Sequence, residues 1–394
     1  MLSSPTVPPT QRPRSPGFSC GPAAKFGTWS ARALEKALVG RSHRSAVGRA
    51  RIAQMHRAIH DSLNLPKDYV VATLPGSDTG AVEAALWNLL GPRPVDVFGW
   101  EAFGNDWVTD VVEQLVDVPS RGFIGAYGTL PDLTQANPDH DIVFSWNGTA
   151  AGVKAPDDAA WIKDDHAGLV ICDATSAVWA LPIPWHKLDV ITFSWQKMSG
   201  SEPAHGTMIL SPRAIERLET YQPTWPIPKI YRLTKGGKVL PGLFEGDTIN
   251  TPSLLCVEDM LAALAWLDAN GGVAGAQARA RESFRIISAW VEKTPWIDFL
   301  PADPAVRSPV SVCLRLTDPT LGQRPWDEQR AFCANLIALV ESEGAGYDFN
   351  AYKEAPPGLR IWCGATVMPE DVTLLLPWID WAFARCYANI KAAA

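Results

Sequence analysis

A lysine that ends one apolar run and an aspartate that ends another are the residues in this 394-residue sequence best placed to do chemistry. Both lie in GLVICDATSAVWALPIPWHKLDVITFSWQKMSG, where GLVIC is closed by Asp173 and DVITFSW is followed by Gln196 and Lys197. Continuous β-branched runs of this kind read as buried parallel strands, and open α/β sheets bind ligands at the carboxyl ends of such strands. A lysine there is partly desolvated, which lowers its pKa and frees the amine to form a Schiff base with a carbonyl. An aspartate one strand away can hold a protonated ring nitrogen. The pair therefore fits a pyridoxal 5'-phosphate (PLP) pocket, with the lysine carrying the cofactor and the acid keeping the ring an electron sink. Taken alone it does not decide the matter, because a strand-terminal Asp often only caps a helix and a Lys after a strand is commonly solvated.

The flanking elements converge on the same sheet edge. DYVVATLP is a strand, Gly76-Ser77-Asp78-Thr79-Gly80 a turn, and the following residues a helix ended by Gly91. Free N–H groups at that helix start, with the Ser77 and Thr79 hydroxyls, make a phosphate cradle that is neither GxGxxG nor a Walker loop. PVDVFG then leads into a helix bearing Phe103 and Trp107, either able to stack on a flat ring. DIVFSW ends in Asn147-Gly148-Thr149, whose hydroxyl can meet a ring substituent. Upstream, Arg41, His43 and Arg44 open a long helix, an arrangement suited to an anion.

Composition bounds the rest. With 47% hydrophobic and 20% charged residues the chain is globular, and a net charge of −7 argues against nucleic acid as a partner. No apolar run approaches the ~18 residues of a membrane span, and the start has no signal-peptide core. Seven cysteines without CxxC or Cys/His spacing predict free thiols in a reducing cytoplasm and no metal site. Residues 1–17 are Pro-rich and predict a mobile extension. Residues 18–275 form the larger domain, which includes a short helix in ARALEKAL and a long Pro/Gly-rich connection over 224–253. The helical stretch after it breaks at Asn270-Gly271-Gly272, and 276–394 form a smaller α+β domain with Arg360 on a strand.

The order FSCGPAAK, SHRS, GSDTG, NGT, CDATSA, SWQK, INTP and GLRIW resembles phosphoserine aminotransferases, class V members of fold type I of the PLP enzymes. The resemblance runs from about Phe18 to the C-terminus, and SWQK and INTP are its specific parts. It implies an α/β PLP-dependent transferase fold, with a mainly parallel seven-stranded-type sheet flanked by helices and a small C-terminal domain. It also implies a cytoplasmic homodimer with shared active sites, acting on L-glutamate and 3-phosphooxypyruvate in serine synthesis. 4-Phosphohydroxy-L-threonine, in pyridoxine synthesis, is a further substrate the resemblance admits.

By the same resemblance Lys197 binds the cofactor and shuttles the proton, Asp173 pairs with the ring nitrogen, and Trp107 stacks on the ring, with Phe103 second. Thr149 meets the ring's 3-oxygen. Asp78, Thr79 and Gln196 anchor the phosphate together with Ser77, and Asn250 and Thr251 reach in from the partner subunit. Arg360 clamps the α-carboxylate; His43 and Arg44 take the substrate phosphate or the glutamate side chain.

Two departures stand out. The phosphate turn carries Asp78 where many members carry an arginine, and an acid repels a phosphate unless it turns away. The family's His-Arg pair before the clamp arginine is absent from AYKEAPPGLR, leaving Lys353, or Lys235 and Lys238, as replacements. The alternatives are an alanine–glyoxylate or serine–pyruvate aminotransferase, which needs no second anion site, and a PLP fold that has lost its chemistry. The His43-Arg44 cluster speaks against the first, and the intact Lys197 and Asp173 against the second.

Overall fold

The computed structural model describes residues 7–393. Only the strands of the two larger sheets and the longer helices are numbered. The main sheet comprises β1 (Val70–Pro75), β2 (Val95–Gly99), β3 (Ser120–Ile124), β4 (Asp141–Ser145), β5 (Val170–Asp173), β6 (Val190–Ser194) and β7 (His205–Leu210). Its order is β1-β7-β6-β5-β4-β2-β3. β3, β2, β4, β5 and β6 run parallel, while β7 is antiparallel to both β6 and β1. Strand alternation divides the apolar residues between two cores, so that Ile142 and Phe144 of β4 face one helical layer and Val143 the other. Each such Ile, Val or Phe side chain removed from water stabilises the fold by about 1.5–3 kcal/mol.

Around the sheet lie α1 (Ala46–Ser62), α2 (Ser77–Leu89), α3 (Ala102–Thr109), α4 (Pro212–Thr220) and α5 (Leu254–Ala269). The chain then turns at Gly271, whose φ of 92° suits glycine, into α6 (Gly272–Val291). The smaller domain has the antiparallel sheet β8 (Ile297–Phe299), β9 (Ser311–Leu316) and β10 (Gly358–Trp362), with α7 (Trp326–Ser342) and α8 (Pro369–Ala393). Trp296 stacks on Phe383 of α8 with ring centroids 3.9 Å apart. β9 also meets the larger domain, where the Ser311 hydroxyl donates to the Thr149 carbonyl.

Three local features add to this picture. Residues 1–6 lie outside the described residues, but the rest of the Pro-rich stretch is fastened to the smaller domain. Trp378 Nε1 donates to the Gln11 carbonyl (2.8 Å), Arg14 N to Asp371 Oδ1 (2.7 Å) and Tyr347 N to the Pro16 carbonyl (2.7 Å). Prolines give up donors but keep carbonyls; the small domain supplies the N–H groups for the Gln11 and Pro16 carbonyls and a carboxylate for the Arg14 N–H. The change of direction at Gly271 comes just before the expected boundary at 275, which lies in the first turn of α6. Finally, ARALEKAL forms only one 3₁₀ turn, Ala31–Leu34, with no buried residue to hold a longer helix.

Candidate active site

β4 and β5 end level, Ser145 pairing in register with Asp173, while β6 runs on to Ser194, past the Thr192 that pairs with Asp173. Beyond these ends lies a cavity of about 260 Å³ whose lining includes Asp173, Lys197, Thr149, Trp107, Phe103 and Arg360. The lysine and aspartate singled out by their strand-terminal positions therefore share one cavity.

Lys197 Nζ donates to Thr149 Oγ1 (3.1 Å) and lies 5.1 Å from the Phe103 ring centroid. Thr149 Oγ1 donates to Ser176 Oγ (2.8 Å), and Ser176 in turn donates to the Asn147 carbonyl (3.0 Å). This chain fixes the direction of each hydroxyl and leaves Thr149 as the acceptor for the lysine. Asp173 is held by neutral donors: Thr175 N at 2.9 Å on Oδ1, and Trp107 Nε1 at 3.2 Å and Ser145 Oγ at 3.4 Å on Oδ2. Trp107 is thus fixed by its indole nitrogen to the acid, while Phe103 flanks the lysine.

Asp78 does not face the phosphate turn. Its buried carboxyl is in hydrogen-bonding reach of Asp173, Thr175 and Thr192. Burial, reinforced by the Asp173 charge, holds it well above the usual carboxylate range and so favours its protonated form. The departure seen in the sequence is thereby resolved: the acid turns its carboxyl away, leaving the Ser77 and Thr79 hydroxyls and the α2 N-terminus to meet an anion. The turn itself depends on Gly76 at φ 82° and on Ser77 at φ 55°.

Arg360, opposite Cys313 on β10, lies with its guanidinium 5.7 Å from the Tyr352 ring, and its buried Nε has no hydrogen-bond partner among the described residues. The Gln196 and Asn147 side chains each also present a buried oxygen at the cavity that has no partner among the described residues. Buried polar atoms without partners are costly, and here they mark positions for a polar ligand. A reactive amine, an acid for a ring nitrogen, aromatic walls and a hydroxyl-lined helix start together fit PLP.

His43, Arg44, Asn250 and Thr251 do not line this chain's cavity. The loop carrying His43 and Arg44 packs beside the one leading to Asn250: a Cβ on Gly246 would reach the Arg49 carbonyl, and Asp247 pairs with Arg49 at 3.6 Å. Burial and the neighbouring Arg44 lower the His43 pKa, while Asp247 counters them. Lys353, Lys235 and Lys238 do not line the cavity either; Lys353 pairs with Glu354 at 3.7 Å and Lys238 with Glu219 at 3.9 Å, both in the open. Cys20, Glu101, Ser176 and Tyr352 do line it, although sequence reasoning passed over them. For Glu101 a signal existed, since like Asp173 it follows an apolar strand.

Comparison with known proteins agrees with this geometry. No family model matches the chain. A phosphoserine aminotransferase of Methanosarcina mazei is 48% identical over 375 residues, covering 95% of this chain and 98% of that protein. The chain belongs to the phosphoserine aminotransferase family. The homologue of Methanosarcina barkeri is likewise 48% identical over 377 residues. As a family member the chain is a class V PLP-dependent aminotransferase, and the fold agrees. A phosphoserine aminotransferase structure from Cytophaga hutchinsonii superposes with a TM-score of 0.76 at 18% identity, covering 93% of this chain and 98% of that one. An alanine–glyoxylate aminotransferase from Nostoc sp. gives the same TM-score, 0.76, at 17% identity, with 97% and 98% coverage. Shape alone does not separate these activities; the sequence relatives do.

Proposed function

We propose that this chain transfers an amino group from L-glutamate to 3-phosphooxypyruvate, giving 2-oxoglutarate and O-phospho-L-serine, with pyridoxal 5'-phosphate as cofactor. The observation that carries the reading is Lys197 and Asp173 in one cavity with a buried Arg360 whose Nε lacks a partner. When bound, PLP supplies an electron sink for the electrons left at the substrate α-carbon and carries the amino group between two half-reactions.

The chain's own residues do the rest. Lys197 holds the cofactor and, once displaced, its amine takes the α-proton and returns it. Thr149 and Phe103 keep that amine in place, and Asp173 favours a protonated ring nitrogen. Ser77, Thr79 and Gln196 bind the cofactor phosphate at the start of α2. Arg360 grips the α-carboxylate by its planar fork, which orients the α-hydrogen for removal.

The second anion site is assigned to a homodimer. His43 and Arg44, with Asn250 and Thr251, stand outside this chain's cavity on adjoining loops, which supports their reaching the cavity of a second copy. There they meet the cofactor phosphate and the substrate's distal anion. The same anion requirement admits 4-phosphohydroxy-L-threonine as a second product in pyridoxine synthesis. Seven free cysteines support a cytoplasmic enzyme.

An absorption experiment tests the reading. Protein loaded with PLP shows a visible band that bleaches with glutamate and returns with 3-phosphooxypyruvate but not with glyoxylate. Equal return with glyoxylate or pyruvate would reject the phosphorylated substrate, and absence of any band would reject the site.

A further inference from the structure

Three carboxyls line the cavity: Asp78, Glu101 and Asp173. Two belong to the ring-nitrogen end, whereas Glu101 stands between the elements that flank the lysine. It is 2% exposed and caps α3, accepting from Gly104 N at 3.0 Å through Oε1. Its other oxygen, Oε2, accepts from Ala150 N at 3.1 Å. Helix caps are usually Ser, Thr, Asp or Asn, which have one short acceptor to offer. The longer glutamate caps the helix and also ties it to the turn that carries Thr149. Phe103 on α3 and Thr149 on that turn are the two neighbours of the Lys197 amine. The fit is close, since a Cβ on Gly148 would come 3.0 Å from Glu101 Cγ.

Among the described residues the Glu101 carboxyl accepts from neutral backbone N–H groups, those of Gly104 and Ala150, so its charge is free to act on groups farther off. Those are Lys197 after β6, Asp173 on β5, Arg360 on β10, Cys313 on β9 and the Tyr127 hydroxyl, which accepts from Ala102 N at 3.2 Å. We propose that Glu101 is a positioning residue for Lys197: its carboxyl fixes Thr149 and Phe103 around the amine, and its negative charge favours the protonated form of the lysine–cofactor linkage. This rests on PLP being bound at Lys197 as proposed above.

Burial raises the Glu101 carboxyl from its usual 4.5 to about 7, against the pull of the Gly104 N–H and the Lys197 charge. Its charge therefore switches near neutral pH. A carboxyl whose folded-state value is raised contributes stability that is complete below pH 4.5 and lost as the pH rises through about 7. Glu101→Gln keeps the volume and one acceptor oxygen but removes the titration.

The test loads wild type, Glu101→Gln and Glu101→Asp with PLP and titrates the visible absorption against pH. Melting temperatures of the cofactor-free proteins are followed over the same range. The expected result is a band in Glu101→Gln whose titration midpoint lies lower by about one pH unit, the scale for losing a nearby opposite charge. The wild-type fall in melting temperature between pH 4.5 and 7 flattens in that variant. Glu101→Asp keeps the charge but is too short to reach both N–H groups, so it holds PLP several-fold more weakly with the midpoint near wild type. That variant carries the test if Glu101→Gln does not fold, and unchanged PLP affinity in it would overturn the positioning role. A band in Glu101→Gln with an unmoved midpoint, whatever its melting temperature, reduces Glu101 to a structural cap and overturns the inference alone. No band in wild type overturns the PLP reading and this inference with it.

Discussion

Lys197, Thr149 and Asp173 reach one cavity from the ends of adjacent strands of a single chain, whereas His43, Arg44, Asn250 and Thr251 gather on two loops outside it. The first group is what a parallel sheet makes unaided: buried strands ending side by side, each delivering one polar side chain to a place protected from water. Its polar atoms are largely satisfied within the chain, by Thr175, Trp107, Ser145 and Ser176. The second group has few such ties, and the buried Nε2 of His43 has none among the described residues. One region is complete at the level of the fold; we propose that the other is completed by association with a second copy. On that reading Lys197 and Asp173 on one side, and the distal-anion residues His43 and Arg44 on the other, serve different functions, and variants should sort accordingly.

The largest effect is expected on the complete side. Lys197→Ala should lower turnover by about 10⁴-fold or more while the protein still folds, and single-turnover assays of the purified variant check this. Next comes Arg44→Ala. Steady-state kinetics should show kcat/KM for 3-phosphooxypyruvate reduced by roughly 10²–10³-fold, the loss typical of removing one member of a desolvated charge pair. The PLP spectrum should stay as in wild type; a lost spectrum would move Arg44 to the cofactor side. Arg360→Ala should cost about 10²-fold in kcat/KM for both substrates, since each presents an α-carboxylate.

Ser77→Ala and Thr79→Ala should each weaken PLP binding by about fivefold, the worth of one net hydrogen bond, as read by equilibrium titration of the cofactor-free protein. Smallest of all is Asp78→Asn, which replaces a carboxyl whose burial already favours its protonated form and should leave PLP affinity and turnover within about threefold. A collapse of PLP affinity in that variant would mean that Asp78 works as an anion, contrary to its burial beside Asp173.

What was legible in the sequence were features set by local pattern. Apolar runs ending in Asp173 and Lys197 marked both the strands and the chemistry, because burial on both faces and an abrupt charge are visible in a few consecutive residues. The direction of the Asp78 carboxyl was not legible. It depends on Asp173, which the fold brings beside it from a distant part of the chain. Tyr352 and Cys20 were passed over for the same reason, since the small domain and the N-terminal segment are carried to the cavity only by tertiary packing. The anchoring of Gln11, Arg14 and Pro16 was hidden too, because composition reports what proline withholds and not the N–H groups that a neighbour supplies.

The claim that one cavity is finished by a second copy can be tested by mixing two inactive proteins. Lys197→Ala and Arg44→Ala chains are unfolded together, refolded and assayed beside each variant refolded alone. If Arg44 serves the partner's cavity, a mixed dimer has one site with both residues intact, and activity rises well above that of either variant. If Arg44 serves its own chain's cavity, every site in the mixture lacks one residue, and activity no higher than that of the separate variants would contradict the account.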